Sequence, residues 1–281
     1  RDFLRFSCAL CVLCGKLSDR FLEPKQGAQS RTIIMVEDKS DQPPSSMRKA
    51  IPYREVVDLS RAIHPDMPRW PGDPPIRFRA VARLDPDGYF LRRFSMGEHT
   101  GTHMNAPVSF HRHGESIDAY PAESLVAPAV VIDVRAGAEA DADYALDAAT
   151  VLHWERQHGE ISPGSIVLLH TAWQAEWRHP EESSGSSNRT GLHFPGFGIQ
   201  AARFLLNERE IAGVGTDTPG VEPGRDKAYS INRMMLEKRR IVLEYLANLG
   251  SLPPTGSTLV IGILRLKGGS GSPASVLAFV P

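Results

Sequence analysis

From Tyr53 onward the chain is a succession of short apolar runs broken by glycine, proline and charge, and their periods predict alternating strands and helices. Val56-Val57-Asp58-Leu59-Ser60 reads as a strand entering a loop. Ile76 to Leu84, where Ile, Phe and Ala alternate in part with arginine, reads as a second strand, and Leu91 to Met96 as a third that leads toward His99. Between them Pro65, Pro68, Pro71, Pro74 and Pro75 hold an extended, irregular segment around Trp70 and Gly72, because each proline ring fixes φ and removes a backbone donor. Ala129 to Val134 and Ser165 to His170 are apolar runs that read as buried strands, the second ending at Thr171-Ala172-Trp173. Asp147 to His158 suits a helix with Asp147 at its N-cap. Ile199 to Arg209 has helical spacing, with Ala202, Leu205 and Leu206 on one face.

Pro180 to Arg189, rich in Ser, Glu and Gly, reads as an exposed loop, and Ile211 to Gly215 as a short strand ending at Thr216-Asp217-Thr218-Pro219. Asn232 to Lys238 and Ile241 to Leu249 carry helical and apolar patches. Thr258 to Leu264 and Val276 to Val280 are predicted strands joined by Gly268-Gly269-Ser270-Gly271-Ser272-Pro273. There is no internal repeat, and strands alternating with helices predict an α/β domain over residues 51–281.

The first fifty residues differ in texture: an apolar run from Phe3 to Cys14, then a polar stretch with Pro43-Pro44. That run is too short to span a bilayer. Residues 1–50 are expected to be a non-structural extension, with a targeting segment and translated sequence upstream of Met35 as the alternatives. All three cysteines, Cys8, Cys11 and Cys14, lie there in an apolar neighbourhood without a nearby fourth ligand, which argues against a metal cluster. The body has no cysteine and so no disulfide, which suits a soluble, cytoplasmic protein. The 281 residues, 41% hydrophobic and 23% charged, support a sizeable core, and a net charge of −1 with interspersed signs argues against nucleic acid or a charged membrane surface as partner.

The chemistry concentrates in Glu98-His99-Thr100-Gly101-Thr102-His103-Met104-Asn105-Ala106-Pro107. His99 and His103 stand four residues apart with the Asn105 amide two further on, and imidazoles with an oxygen donor can grip a borderline divalent metal. Gly101 and Ala106-Pro107 make a regular helix unfavourable and favour a tight loop on which side chains converge. From spacing alone, metal ligation and hydrogen-bonded core histidines stand level.

The stretch resembles the His-Thr-Gly-Thr-His-x-Asp-Ala-Pro-x-His signature of the cyclase family, which includes bacterial kynurenine formamidases and isatin hydrolases. The likeness runs through Asp58-Leu59-Ser60, Met67 to Asp73, Ser116-Ile117-Asp118, Val214 to Thr218, Leu243 to Leu249, Leu252 to Gly256 and Gly268 to Pro273. It implies a swivelling β/β/α fold, usually a homodimer, and metal-dependent hydrolysis. By the same resemblance His99 and His103 bind the first metal, Glu244 bridges, and Trp70 packs on an aromatic substrate. Asn105 falls where the family has a bridging aspartate, Ser109 where it has a general-base histidine, and Asn232 where it has the second metal's histidine.

An amide at Asn105 is a poorer ligand than a carboxylate, and Asn232 removes an imidazole from the second position. One divalent ion, Zn²⁺ or Mn²⁺, is therefore expected on His99, His103 and Glu244, with Asn105 weak or behind them. Ser109 cannot act as a base near neutral pH, so His111 and His113 are the candidate catalytic histidines, His111 first, with solvated loop histidines as the alternative. Asp217 is read as a turn cap before a ligand, and Trp70 equally as core or substrate wall. The expected function is an arylformamidase-like hydrolase opening an amide, lactam or lactone bond of a small molecule. The alternative is a catalytically silent cyclase-fold protein that binds a small ligand or a partner.

Overall fold

The computed structural model describes residues 50–173 and 192–281. The expectations for the extension 1–49, for Cys8, Cys11 and Cys14, and for the loop Pro180 to Arg189 lie outside these residues.

The apolar runs become strands buried on both faces. β5 (Val126–Asp133), β7 (Ile166–His170), β9 (Gly213–Thr216) and β10 (Ile241–Glu244) run parallel, in that spatial order. β4 (His103–Asn105) pairs antiparallel with β10 on one side and with β12 (Gly271–Val280) on the other. β12 pairs in turn with β11 (Ser257–Ile263), and β11 with β5. The sheet thus closes on itself as a seven-stranded barrel, and closure removes the exposed edges that an open sheet must protect. β1 (Glu55–Asp58) adds to the far end of β12. β2 (Arg77–Ala82) and β3 (Leu91–Ser95) form a separate hairpin, and β6 (Ala145–Leu146) pairs with β8 (Gly196–Phe197).

Alternation along each strand divides the core in two. Ala129, Val131, Leu168, Leu243, Leu259 and Ile261 fill the barrel interior with Met104 and Ile117. Val130, Ile132, Val167, Leu169, Val214 and Val242 face outward, beneath the helices α1 (Ala148–His158), α2 (Ile199–Glu208) and α3 (Ser230–Met235). The expected helix start at Asp147 holds, since its carboxylate accepts from the Thr150 N–H at 2.7 Å. Ala202 and Leu205 are buried as their spacing predicts.

Two expectations are corrected. Ile241 to Leu249, read as a helical or apolar patch, begins with the buried strand β10, because parallel partners on one side and β4 on the other satisfy its backbone. The Gly268 to Pro273 link is not all loop: β12 starts at Gly271 and passes directly beside Asn105.

Candidate active site

β4 sets the site. Met104 points into the barrel, so His103 and Asn105, its neighbours on either side, project from the opposite face. In the pairing of β4 with β10, Glu244 lies opposite His103. Gly101, between the two histidines, turns the chain at φ 63°, a left-handed conformation that glycine adopts without strain. The closing contacts hold this register: the Thr102 hydroxyl donates to the Tyr245 carbonyl at 2.7 Å, and Arg61 Nε donates to the same oxygen at 3.2 Å. α3 supplies Asn232 from above.

His103, Asn105, Asn232, Glu222 and Glu244 are 2%, 2%, 2%, 3% and 5% exposed, so each polar group needs a partner inside the protein. His103 Nδ1 lies 2.8 Å from the Gly101 carbonyl, an acceptor, so that nitrogen carries the proton and donates. Its Nε2 then faces Glu244 Oε2 at 3.0 Å. Two acceptors on one imidazole call for a positive charge between Nε2 and the carboxylate, supplied either by a second ring proton or by a cation. His99 is oriented similarly. Its Nδ1 lies 2.8 Å from Asn105 Oδ1 and its Nε2 2.9 Å from Ser270 Oγ, whose own proton goes to Glu98. Burial and the neighbouring His103 lower the His99 pKa, against the Asn105 hydrogen bond and the charge of Glu244, and so favour the neutral, ligating form. The Ser270 hydroxyl and backbone N–H also reach Glu98 at 2.7 and 2.8 Å. Burial pushes the Glu98 carboxyl up, but these bonds outweigh it and hold the pKa below the usual carboxylate range.

The amides fill the other half. Asn105 Nδ2 donates to Asn232 Oδ1 at 3.0 Å, and Asn232 Nδ2 donates to Glu244 Oε1 at 2.9 Å and to Glu222 Oε1 at 3.2 Å. An amide NH₂ thus bridges two buried carboxylates. Their pKa values move apart. Burial pushes Glu244 up, yet the His103 hydrogen bond and charge bring it below its ordinary value. Burial and the charge of Glu244 push Glu222 up to about 7, against hydrogen bonds from Asn232.

These groups form the floor of a cavity of about 440 Å³ walled by Trp70, Phe110 and Tyr229, with Asp73 and Arg233 also lining it. Trp70 rests edge-on against Phe194, ring centroids 6.3 Å apart, so it is core packing on one side and cavity wall on the other.

The fold therefore brings His99, His103, Asn105, Glu244 and Trp70 together, along with Ser109 and Asn232. It does not bring His111 or His113 into the cavity. After Ser109 the chain turns back through the His111 N–H to Pro107 carbonyl bond, His111 Nε2 donates to the Arg233 carbonyl at 2.9 Å, and His113 is exposed. Ser109 donates to the Ser270 carbonyl and is occupied structurally. Asp217 accepts from the Thr171 hydroxyl at 2.7 Å and from the Ala172 N–H at 3.0 Å, anchoring a neighbouring loop as a cap would. Glu222, Asp73, Tyr229 and Arg233 were not legible from the sequence. Only Val221-Glu222-Pro223, just past the strand end at Thr216, hinted that a carboxylate sits near the sheet's carboxyl edge.

In this arrangement the donors pair with one another, and among the described residues no three His, Cys, Asp or Glu side chains form a closed ligand set. The donor chemistry nevertheless fits a borderline divalent ion: two oriented imidazoles, and a buried carboxylate 3.0 Å from His103 Nε2.

The chain is 31% identical over 244 residues to an isatin hydrolase of Roseibium aggregatum, covering 81% of this chain and 92% of that protein. It is 29% identical over 221 residues to a kynurenine formamidase of Salinibacter ruber, covering 78% and 94%. The structure of isatin hydrolase A from Labrenzia aggregata bound to benzyl benzoate superposes with a TM-score of 0.74 at 35% identity, covering 80% of this chain and 93% of that one. The Cyclase family model matches residues 57–223, and with these relatives it shows that the chain belongs to the cyclase family.

Proposed function

We propose that this protein is a hydrolase that opens an amide, lactam or lactone bond of a small aromatic molecule with one divalent ion, Zn²⁺ or Mn²⁺, held by His99, His103 and Glu244, with Asn105 behind His99. The observation that carries the reading is the His103 imidazole set between the Gly101 carbonyl and the Glu244 carboxylate, at the floor of an aromatic-walled cavity. The names of the relatives, isatin hydrolase and kynurenine formamidase, support the same bond class.

A bound divalent ion supplies Lewis-acid polarisation of the carbonyl and a more acidic water. The chain's own residues do the rest. Trp70 and Tyr229, packed on each other with centroids 6.2 Å apart, offer one aromatic wall to the substrate ring, and the cavity is of the size that encloses small ligands. Water adds to the carbonyl carbon, the C–N or C–O bond breaks, and the acid remains on the carbonyl side. The leaving atom needs a proton. Glu222, buried on the cavity floor beside Glu244, is the group that exchanges it and takes the role that Ser109 cannot fill. The second metal position is closed by Asn232, whose NH₂ occupies the space between Glu222 and Glu244.

The reading extends to a homodimer. Val81, Phe90, Leu91 and Phe94 are exposed on or beside the two-stranded β2–β3 hairpin, a unit of marginal stability unless covered, and a second copy would cover it. No helix among the described residues is long and apolar enough to cross a membrane. A body without cysteine suits a reducing cytoplasm.

The experiment measures metal content beside hydrolysis of N-formylkynurenine and isatin by protein purified without chelator. One ion per chain with turnover of either compound supports the reading. No bound metal and no turnover sinks it in favour of a silent ligand-binding relative.

A further inference from the structure

We propose that Arg61 is a positioning residue: by fixing the backbone turn that follows Glu244, it holds that carboxylate against His103. For its consequence the inference rests on the one-metal reading above; for its geometry it rests on hydrogen bonds between named residues. Arg61 is not among the residues that line the cavity. Glu244 ends β10, and the next residue, Tyr245, has φ 57°, a left-handed conformation that a bulky non-glycine side chain rarely adopts. Such a conformation persists only where the surroundings over-determine it. The Tyr245 N–H donates to the Thr218 carbonyl at 3.0 Å and the Leu246 N–H to the Thr216 carbonyl at 2.9 Å. Both residues are buried, so their carbonyls need partners as well. Arg61 supplies them: Nε donates to the Tyr245 carbonyl at 3.2 Å and Nη2 to the Leu246 carbonyl at 3.0 Å.

A second contact closes a ring. The Thr102 hydroxyl donates to the Tyr245 carbonyl at 2.7 Å, and its oxygen accepts from the Arg61 backbone N–H at 2.9 Å. Arg61 therefore joins Thr102, the residue before His103, to Tyr245, the residue after Glu244. In the β4–β10 pairing, His103 and Glu244 are the last pair of the ladder, where strands fray most readily. The ring stands just beyond that pair and closes it. Burial lowers the Arg61 pKa to about 10, opposed by the charge of Asp217, so the guanidinium stays charged at neutral pH. Asp217 also anchors the Thr171-Ala172 turn, and Trp173 beyond it packs on the Tyr245 ring with centroids 6.3 Å apart. Asp217 thus steadies the Tyr245 side chain, and Arg61 its backbone. A planar fork suits two adjacent carbonyls, which one ammonium cannot span in the same way.

The test compares the whole wild-type chain with Arg61→Met, which keeps the apolar stem and removes the fork, and with Arg61→Lys. Arg209→Met breaks the Arg209–Glu155 ion pair between α1 and the end of α2, outside the cavity lining, and controls for lost stability alone. Zn²⁺ affinity is measured by competition with a chromophoric chelator, stability by chemical denaturation of metal-free protein, and geometry by a crystal structure of each metal-free Arg61 variant. Arg61→Met should weaken Zn²⁺ binding by about tenfold or more, and Arg61→Lys by less. Arg209→Met should lose stability and keep the wild-type affinity. In metal-free Arg61→Met, Tyr245 should leave the left-handed region and the 3.0 Å contact between His103 and Glu244 should lengthen. Wild-type Zn²⁺ affinity in folded Arg61→Met, an equal loss of affinity in Arg209→Met, or an unmoved Tyr245 and Glu244 in the variant crystal overturns the assignment. If Arg61→Met does not fold, Arg61→Lys carries the same comparison. A wild type that binds no Zn²⁺ sinks the one-metal reading, and the variant crystal then decides Arg61 by itself.

Discussion

The two halves of the cavity floor satisfy their buried polar groups in different ways. On the imidazole side, the Nδ1 atoms of His99 and His103 meet Asn105 and the Gly101 carbonyl, and their Nε2 atoms face Ser270 and Glu244. On the amide side, Asn232 donates to two carboxylates and accepts from Asn105. The first half presents imidazole nitrogens, which can bind a cation in place of a proton. The second half presents N–H groups where a cation would need lone pairs. On the proposed reading, the contrast teaches that exchanging acceptors for donors can close one metal position beside another that is kept.

The largest expected effect comes from removing the imidazole half. His103→Ala leaves the Glu244 carboxylate buried without its imidazole partner, and should cost about 3 kcal/mol of stability. Metal and turnover should disappear with it, as read by chemical denaturation and metal analysis of the same preparation. Full metal occupancy in that variant would end the assignment of His103 as a ligand.

The next tests act on the amide half. Asn105→Asp combined with Asn232→His exchanges donors for acceptors and should raise the metal content from one ion per chain to two, read by elemental analysis. If wild-type protein already binds two ions, the contrast between the halves fails.

Glu222→Gln should lower kcat by about tenfold to a hundredfold while leaving metal content unchanged. It also isolates a pH effect. The Glu222 carboxyl is raised from 4.5 to about 7 in the folded protein, so its contribution to stability is fully present below pH 4.5 and is lost as pH rises through about 7. In chelator-treated protein, Glu222→Gln should flatten that loss, an effect of about 3 kcal/mol. Glu244, lowered instead, keeps its contribution above the ordinary carboxylate range and loses it as pH falls, so acid unfolding should survive the Glu222 substitution. Denaturation midpoints between pH 4 and 8 for the two proteins check both signs.

A subtler change sharpens the role of the β12 entry. A Cβ at Gly271 would lie 2.6 Å from His99 Cε1 and 2.9 Å from the Met104 carbonyl. Gly271→Ala should therefore tilt His99 and weaken metal affinity by about tenfold. The smallest effect is expected from His111→Ala and His113→Ala, which should retain turnover within about twofold, since neither side chain lines the cavity.

Local pattern accounts for much of what was legible. Asp147 announced its helix because a cap is a short-range hydrogen bond, and the runs around Val131 and Leu168 announced buried strands because both faces of a covered sheet are apolar. His99, His103 and Glu244 were placed together by resemblance to a family, since no local rule links residues so distant in the chain. Ile241 to Glu244 was misread because a short apolar run has the same composition in a strand as in a helix, and only its neighbours β9 and β4 decide.

The chain by itself determined its α/β class, most strand positions and the imidazole pair with its glycine turn, because these depend on periods and contacts a few residues long. Tertiary structure alone decided that β12 closes the barrel against β4, that Asn232 joins Glu222 to Glu244, that His111 turns away, and that Arg61 reaches the carbonyls beyond Glu244. These outcomes depend on which distant segments meet when the sheet closes, and the protonation of a buried carboxylate depends on its neighbours in space, which spacing along the chain does not encode.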